Sequence, residues 1–168
     1  MEIRQATAED AGMLSSIIVS SWQSAYQQLI DNAYLARLPM ESWVATLRPW
    51  LESGRMYGLM AMEAEKAVGC VIYGRGRDES HADWGEIVAL YLLPEAIGKG
   101  IGHALLNHAL EELHEDGYVR VYLWSIDGNL QAEEFYRRHG FTPDGAQVAY
   151  RLGSSEVRDI RMIRASLV

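Results

Sequence analysis

The chain has 168 residues, which suits a single domain over residues 1–168 and is short for two. Hydrophobic residues make up 49% and charged residues 23%, close to the averages of soluble globular proteins. The formal net charge of −8 disfavours nucleic-acid binding through phosphates and is compatible with a cationic substrate.

The start of the chain and its cysteine content indicate the compartment. The acidic stretch MEIRQATAEDAG lacks the basic and apolar segments of a signal peptide, and no apolar run approaches the roughly 20 residues of a transmembrane helix. The single cysteine, Cys70, cannot form an internal disulfide and lies in an alternating apolar run, which is typical of a small core residue. The sequence therefore predicts a cytoplasmic protein with no membrane partner.

The first third of the chain predicts one strand followed by helices. EIRQAT (2–7) is strand-like, and Thr7 with Asp10 resembles a capping box that opens a long helix. DNAYLARL and MESWVATLRPWLES predict two shorter helices, with a break at the Arg48–Pro49 step.

From Tyr57 the hydrophobic period changes to that of strands. YGLMAMEA and KAVGCVIYGR predict a hairpin that turns at EAEK, followed by a polar loop (75–85) and a strand (86–93) that ends at Pro94. GKGIGHALLNHALEELHEDG then has a helical apolar stripe, YVRVYLW (118–124) is strand-like and LQAEEFYRRHG (130–140) is helical. AQVAYRL and EVRDIRMIR predict a closing antiparallel pair around GSS. The pattern predicts a mixed α/β (α+β) domain.

Three glycines, Gly98, Gly100 and Gly102, lie between the strand at 86–93 and the following helix. Each glycine costs roughly 1 kcal/mol relative to alanine inside a helix, so the cluster needs a reason. The first amides of a helix have no intrahelical partner and lie at the positive end of its dipole, so a turn without side chains can hold a phosphate. A tight turn that needs positive φ, or close packing of helix on sheet, explains the glycines equally well.

The spacing of residues around the glycines excludes two familiar phosphate-binding motifs. The dinucleotide fingerprint G-x-G-x-x-G requires a third glycine where His103 stands. The P-loop pattern requires Ser or Thr after its lysine, but Lys99 is followed by Gly100.

LYLLPEAIGKGIGHALL and NLQAEEFYRRHGF resemble the two signature segments of the GNAT superfamily of acyl-CoA N-acyltransferases. The first resembles the family's [R/Q]-x-x-G-x-G/A loop, with Gly100 and Gly102 as its glycines, although Ile97 stands where the family usually has Arg or Gln. The second resembles the segment N-x-x-A-x-x-[F/Y]-Y-x-x-x-G-F. The order of predicted elements is also similar to the family's, and SWQSAY resembles the start of many bacterial small-molecule members.

The resemblance implies a central mixed, mostly antiparallel sheet flanked by helices, with a V-shaped cofactor cleft between two central strands. It implies direct transfer of an acetyl group from acetyl-CoA to a primary amine through a ternary complex, with a small and cationic acceptor favoured by the net charge. Lys99 could compensate for the charge that Ile97 lacks. The implied cofactor contacts are Leu90, Tyr91, Leu92, Gly98, Lys99, Gly100, Ile101, Gly102, His103, Asn129 and Tyr136.

Two side chains are the catalytic candidates. Tyr136 is expected to protonate the departing sulfur, because a phenol with a pKa of about 10 keeps its proton at pH 7; the alternative is that it only anchors its helix. Glu86 looks like the strand glutamate that serves as general base in some family members; the alternative is a strand-end carboxylate in solvent. Asp83 and Glu79 are the reserve bases.

Trp22 and Tyr26, four residues apart on one helix, are expected to line the acceptor pocket unless they are core residues. The five histidines show no metal-ligand spacing, so no metal is expected. Two other functions stay open: acetylation of a peptide or protein at its N-terminus or a lysine, and non-catalytic binding of acyl-CoA. A homodimer is a further open alternative.

Overall fold

The first third of the chain forms one strand and three helices in a computed structural model that describes residues 1–166. The strand and the helices are β1 (Glu2–Gln5), α1 (Ala11–Ala25), α2 (Asn32–Arg37) and α3 (Val44–Ser53). The predicted capping box is present: the Thr7 amide donates to the Asp10 carboxylate at 2.8 Å, in the 3₁₀ turn that precedes α1.

The helix α3 passes through Pro49, where the sequence predicts a break. Proline at this point removes one backbone hydrogen bond. The cost is offset by packing, because Leu47 is 3% exposed and Trp50 packs against the same core cluster. The helix ends at Gly54, which has a φ of 69°.

The middle of the chain forms three antiparallel strands, β2 (Met56–Glu63), β3 (Lys66–Arg75) and β4 (Gly85–Leu92). The hairpin between β2 and β3 turns at EAEK as predicted. The loop between β3 and β4 contains a 3₁₀ turn at 79–81, and a second 3₁₀ turn at 94–96 follows β4.

The second half alternates helix and strand and closes on a hairpin. Its elements are α4 (Ile101–Glu115), β5 (Val121–Ile126), α5 (Leu130–Arg138), β6 (Thr142–Leu152) and β7 (Ser155–Arg164). β5 begins three residues later than predicted, because the Tyr118 amide still donates to the carbonyl of Leu113 and closes the end of α4.

The strands form one sheet in the order β1–β2–β3–β4–β5–β7–β6. All pairs are antiparallel except β4 with β5, which pair in parallel. That pairing covers only Gly85–Ile87 against Val121–Leu123, although both strands continue further. The two central strands therefore diverge at one end of the sheet, as the predicted V-shaped cleft requires.

Hydrophobic cores lie on both faces of the sheet. On one face the apolar stripe of α4 packs in a cluster that includes Leu105, Leu113 and Met162. On the other face α1 and α3 pack over β2 and β3 in a cluster that contains Cys70, which is fully buried with its pKa raised to about 12 by that burial. The predicted fold class and the core position of Cys70 are confirmed.

Candidate active site

A cleft of about 600 Å³ opens where β4 and β5 diverge. It is lined by β4, by the glycine turn, by the start of α4, by α5 and by the end of α1. The residues at its wall include Ser21, Tyr26, Leu90, Tyr91, Leu92, Ile97, Gly98, Gly100, Gly102, His103, Trp124, Ser125, Asn129, Phe135, Tyr136 and Arg138. Past Ile87 the edge of β4 that faces β5 has no strand partner within residues 1–166. The Leu92 carbonyl accepts from Ser21 Oγ at 2.7 Å, and the other backbone groups of this edge are free to pair with an extended ligand.

The glycine turn brings unpaired amides to one end of this cleft. Gly98 and Gly100 have φ values of 81° and 79°, in the left-handed region that favours glycine. The first intrahelical bond of α4 runs from the Ala104 amide to the Gly100 carbonyl at 3.1 Å. The amides of Ile101, Gly102 and His103 therefore precede the helical bonding pattern, at the positive end of the helix dipole.

Gly102 differs from the other two glycines, because its φ is not positive. A Cβ at this position would lie 3.4 Å from Leu92 Cδ1 and 3.6 Å from Phe135 Cζ, which are ordinary van der Waals contacts, whereas a Cβ at Gly98 or Gly100 would meet nothing within 4 Å. The need for positive φ therefore explains Gly98 and Gly100, and close packing does not require glycine at position 102.

The side chains of the turn divide between the cleft and the rest of the molecule. Ile97 is 47% exposed at the cleft wall. Lys99 does not line the cleft, since its Nζ lies 3.7 Å from Glu63 Oε2, and Ile101 is 2% exposed in the core. Their side chains do not contribute to the cleft wall, and the predicted role of their amides in cofactor binding stays a prediction.

Arg138 is a cation at the cleft wall that the sequence reasoning does not single out. It is in the last turn of α5 and forms an ion pair with Glu134, one helical turn earlier. The signal available in the sequence is its place in FYRRHGF, but the sequence does not tell which of its two arginines faces the cleft. Arg137 does not line the cleft.

Two histidines link the start of α4 to the end of α5. His139 Nδ1 lies 2.8 Å from the Phe135 carbonyl, to which it must donate, so in the neutral ring its Nε2 accepts from His103 Nδ1 at 2.8 Å. His103 Nε2 then accepts from Asn107 at 3.0 Å. The sequence predicts His103 as a cofactor contact, and the structure places it at the cleft wall.

Tyr136 lies on α5 with 9% of its surface exposed and with its ring near Phe135 and Phe141. Burial, and then the nearby Tyr91, raise the pKa of the Tyr136 phenol above its ordinary value of about 10. No hydrogen bond to residues 1–166 engages its hydroxyl, and the residue lines the cleft. Tyr136 is therefore a protonated group with a donor available to a ligand.

Asn129 is the N-cap of α5, with its Oδ1 accepting from the Ala132 amide at 3.4 Å, and it also lies at the cleft wall. Its predicted contact with the cofactor stays a prediction.

Only one of the two predicted acceptor-pocket residues lies at the cleft wall. Tyr26 lines the cleft, and its hydroxyl lies 3.3 Å from the hydroxyl of Tyr91. Burial raises the pKa of both phenols. Trp22 does not line the cleft and packs edge-on between Tyr26 and Trp43, with ring centroids 5.4 Å from each.

Glu86 is neither solvent-facing nor at the cleft wall. Its side chain is 1% exposed, and its two oxygens accept from Arg77 Nε and Nη2 at 2.7–3.1 Å. Oε1 also accepts from the Arg77 amide at 2.9 Å and from the Tyr122 hydroxyl at 3.0 Å. The reserve candidates Asp83 and Glu79 belong to the loop before β4 and do not line the cleft either.

The part of the chain that the structure describes contains no group of three or more His, Cys, Asp or Glu side chains that could hold a metal ion. Within residues 1–166, no helix is both long enough and apolar enough to cross a membrane.

Comparisons with known proteins converge on one family. Residues 20–141 match the model of the acetyltransferase (GNAT) family. The chain is 30% identical over 129 residues to the uncharacterised N-acetyltransferase YuaI of Bacillus subtilis, across 76% of this chain and 72% of that protein.

Solved structures share the fold. The PaiA N-acetyltransferase of Thermoplasma acidophilum, in complex with coenzyme A, has a TM-score of 0.76 at 22% identity, over 98% of this chain and 99% of the other. The ribosomal-protein-alanine N-acetyltransferase of Brucella melitensis has a TM-score of 0.76 at 24% identity, again over 98% and 99%.

Proposed function

The chain belongs to the GNAT family of acetyltransferases, and we propose that it transfers an acetyl group from acetyl-CoA directly to a primary amine of a small, cationic molecule. The observation that carries this proposal is the cleft between β4 and β5, which combines an unpaired strand edge, a helix start with free amides and a buried tyrosine with a free hydroxyl.

In this proposal the acetyl donor, acetyl-CoA, lies along the cleft. The free edge of β4 around Leu90 and Leu92 pairs with the extended pantetheine arm, as an added strand would. The amides that begin α4 bind the pyrophosphate. The similar structure from Thermoplasma acidophilum was determined with coenzyme A, which supports a CoA-type ligand for this shared fold.

Arg138 supplies the side-chain charge near the pyrophosphate that the family usually draws from the residue at the Ile97 position. Lys99 is oriented toward Glu63 and is less suited to this role. Arg138 lines the cleft on the opposite element, and guanidinium groups bind phosphate oxygens with two parallel hydrogen bonds. Its partner Glu134 is exposed, so the pair is weak and can rearrange when a phosphate binds.

Acetyl-CoA supplies a thioester whose sulfur must receive a proton when the acetyl group leaves. Tyr136 holds that proton at its hydroxyl, because burial disfavours the phenolate. A backbone amide on the free edge of β4 stabilises the negative charge that develops on the carbonyl oxygen.

The amine must lose a proton, since only about one alkylamine in a thousand is neutral at pH 7. We assign this proton to Glu86, with two conditions that its surroundings impose. Glu86 does not line the cleft, so the proton reaches it through water rather than directly. Both carboxylate oxygens accept from Arg77, so the carboxylate accepts a proton only when the Arg77 side chain, which is 44% exposed, moves aside.

The variant Glu86→Gln tests this role. We expect its loss of kcat/KM to be largest below neutral pH, where the amine most needs a base, while the affinity for coenzyme A is retained. Arg77→Lys is the control, because it perturbs the same pair and leaves the carboxylate. Equal losses in the two variants, independent of pH, would make Glu86 a positioning residue for Arg77.

A coenzyme A release assay tests the function as a whole. The acceptor panel contains diamines, monoamines, amino acids, aminoglycosides and short peptides with free N-termini or lysines. We expect turnover with small alkylamines, and a preference for peptides would replace the small-molecule acceptor. Tight binding of acetyl-CoA without turnover of any amine would leave a non-catalytic acyl-CoA-binding protein.

A further inference from the structure

The histidine pair, His103 and His139, joins α4 to α5 at the end of the cleft where the free amides of α4 lie. His103 is exposed at the cleft wall, and its own amide is one of the three that precede the helical bonding pattern. His139 is half-buried and does not line the cleft, and its ring packs on Phe135 at a centroid distance of 4.5 Å. None of the roles above uses the charge that such a pair can carry.

The hydrogen bonds of the neutral pair use all four ring nitrogens. His139 Nδ1 donates to the Phe135 carbonyl, and His139 Nε2 accepts from His103 Nδ1. His103 Nε2 accepts from Asn107. Two neutral imidazoles carry one ring proton each, so both protons of the pair are committed to these bonds.

One added proton fits this arrangement without the loss of a hydrogen bond. The proton makes His103 Nε2 a donor, and the Asn107 amide turns over to accept it with Oδ1. The bond between the two rings persists whichever ring holds the charge. A second proton would set two N–H groups against each other across 2.8 Å and break that bond. The histidine pair is therefore suited to carry a single positive charge.

Charged and titratable groups approach the pair from α4, α5, the glycine turn and β7. In the part of the chain that the structure describes, they and their ion-pair partners are Glu63, Lys99, Glu111, His114, Glu134, Arg138 and Arg164. Arg138 is paired with Glu134. Lys99 is paired with Glu63. The cations of this set are balanced by carboxylates, so a bound phosphate would be the main change in charge beside the histidine pair.

We propose that His103 and His139 act as one unit that takes up a proton when the phosphates of the acetyl donor bind at the start of α4. This inference rests on the proposed function, because it needs the pyrophosphate to lie at the amides of α4. Imidazole groups ordinarily titrate near pH 6.5, and a negative charge beside such a group favours its charged form. The proton comes from solvent, adds to the lone pair of a ring nitrogen and returns to solvent when coenzyme A leaves.

This proton uptake gives donor binding a pH dependence of known sign. Binding that takes up a proton is strongest where the histidine pair is already protonated, and it weakens by at most about tenfold per pH unit as the pH rises. We therefore expect the affinity for coenzyme A to fall as the pH rises above about 6.5. Phosphate monoesters ionise near pH 6, but this contribution of the ligand is the same for every variant of the protein.

Calorimetry of coenzyme A binding at pH 7.5, in two buffers with different enthalpies of ionisation, measures the proton uptake. For the wild type we expect uptake of up to about one proton per coenzyme A. His139→Gln keeps an acceptor for His103 and leaves the cleft wall intact, but removes one of the two rings. It is expected to lower the uptake by about half or more and to flatten the fall in affinity above about pH 6.5.

His103→Gln is a second variant that removes the other ring, and we expect the same two changes. His108→Gln is the control, because His108 lies on α4 outside the cleft wall and contacts Glu112 at 3.3 Å. It is expected to keep the proton uptake of the wild type. The melting temperature of each variant checks that it is folded.

The outcomes separate this inference from the proposed function. Proton uptake that is unchanged in folded His139→Gln would overturn the inference, and so would a loss of affinity that is equal at every pH. Either result would leave the histidine pair as a structural link between α4 and α5. Wild-type protein that does not bind coenzyme A would refute the proposed function and this inference together. Uptake that depends on both histidines, without turnover of any amine, would support the inference and refute the proposed transfer.

Discussion

Tyr136 is the residue on which the proposed chemistry depends most. Tyr136→Phe preserves the ring and its contacts with Phe135 and Phe141 and deletes the hydroxyl. We expect a folded protein that binds acetyl-CoA with wild-type affinity and turns over roughly 10² to 10⁴ times more slowly, the usual scale for one acid–base group. Tyr118→Phe, outside the cleft wall, serves as the control. Wild-type turnover in Tyr136→Phe would make Tyr136 a structural residue.

Arg138 gives a residue-scale test of phosphate binding. Arg138→Ala is expected to weaken coenzyme A binding about tenfold, because a charge-assisted contact to phosphate is lost. Arg137→Ala removes the same charge from the neighbouring position, which does not line the cleft, and is expected to retain affinity. Calorimetry compares the two variants. A donor without phosphates, S-acetylpantetheine, is expected to react equally well with both, and equal losses of coenzyme A affinity would contradict the role of Arg138.

At the scale of elements, the turn between β4 and α4 provides a matched pair of glycines. Gly100 at the start of α4 and Gly117 just after its end both have positive φ, and a Cβ at either position meets nothing within 4 Å. Alanine at either position therefore introduces the same kind of backbone strain without a clash.

We expect Gly100→Ala and Gly117→Ala to lower the melting temperature by similar amounts. Only Gly100→Ala is expected to weaken coenzyme A binding, by about tenfold, because relief of the strain turns the amides that follow it away from the phosphate. Thermal denaturation and calorimetry measure the two effects. Unchanged affinity for coenzyme A in a folded Gly100→Ala protein would show that this turn does not bind the pyrophosphate.

The sequence predicts most elements because their signals are local. The apolar stripe of α4 and the hairpin at EAEK are found where periodicity and turn chemistry place them. The path of α3 through Pro49 is not predictable in this way, because burial of Leu47 in the core outweighs a local penalty.

The candidate site is only partly predictable from the sequence. Signature residues such as Gly100, Asn129 and Tyr136 lie at the cleft wall as the resemblance implies. The contact of Glu86 with Arg77 depends on the path of a polar loop between β3 and β4. Such long-range pairing has no local sequence signal.

At the scale of the whole molecule, two aspartates are expected to affect stability in opposite directions. Burial raises the pKa of Asp159, so the folded state holds its proton more tightly than the unfolded state. Ionisation of Asp159 therefore costs stability as the pH rises from about 4, the unfolded pKa, through the higher folded pKa. The hydrogen bond from Arg4 lowers the pKa of Asp10, so Asp10 stabilises the fold above about pH 4 and loses this effect as the pH falls through its folded pKa.

Asp159→Asn is therefore expected to be at least as stable as the wild type at pH 7.5, and Asp10→Asn less stable. The Asp159→Asn difference in melting temperature is expected to shrink as the pH falls through the raised folded pKa to about 4. The Asp10→Asn difference is expected to shrink as the pH falls below about 4. Calorimetric melting at pH 7.5 and at low pH measures them. A destabilised Asp159→Asn at pH 7.5 would mean that the charged form of Asp159 supports the fold, which would contradict its raised pKa.

The central claim is that this fold transfers an acetyl group from acetyl-CoA to an amine within one cleft. The most direct measurement follows coenzyme A release and the mass of the acceptor in a single reaction of the wild-type protein with acetyl-CoA and 1,4-diaminobutane. The account predicts N-acetylated diamine and free coenzyme A in equal amounts, with release that depends on the amine. Bound acetyl-CoA with no amine-dependent release, for this or any other amine of the panel, would contradict it.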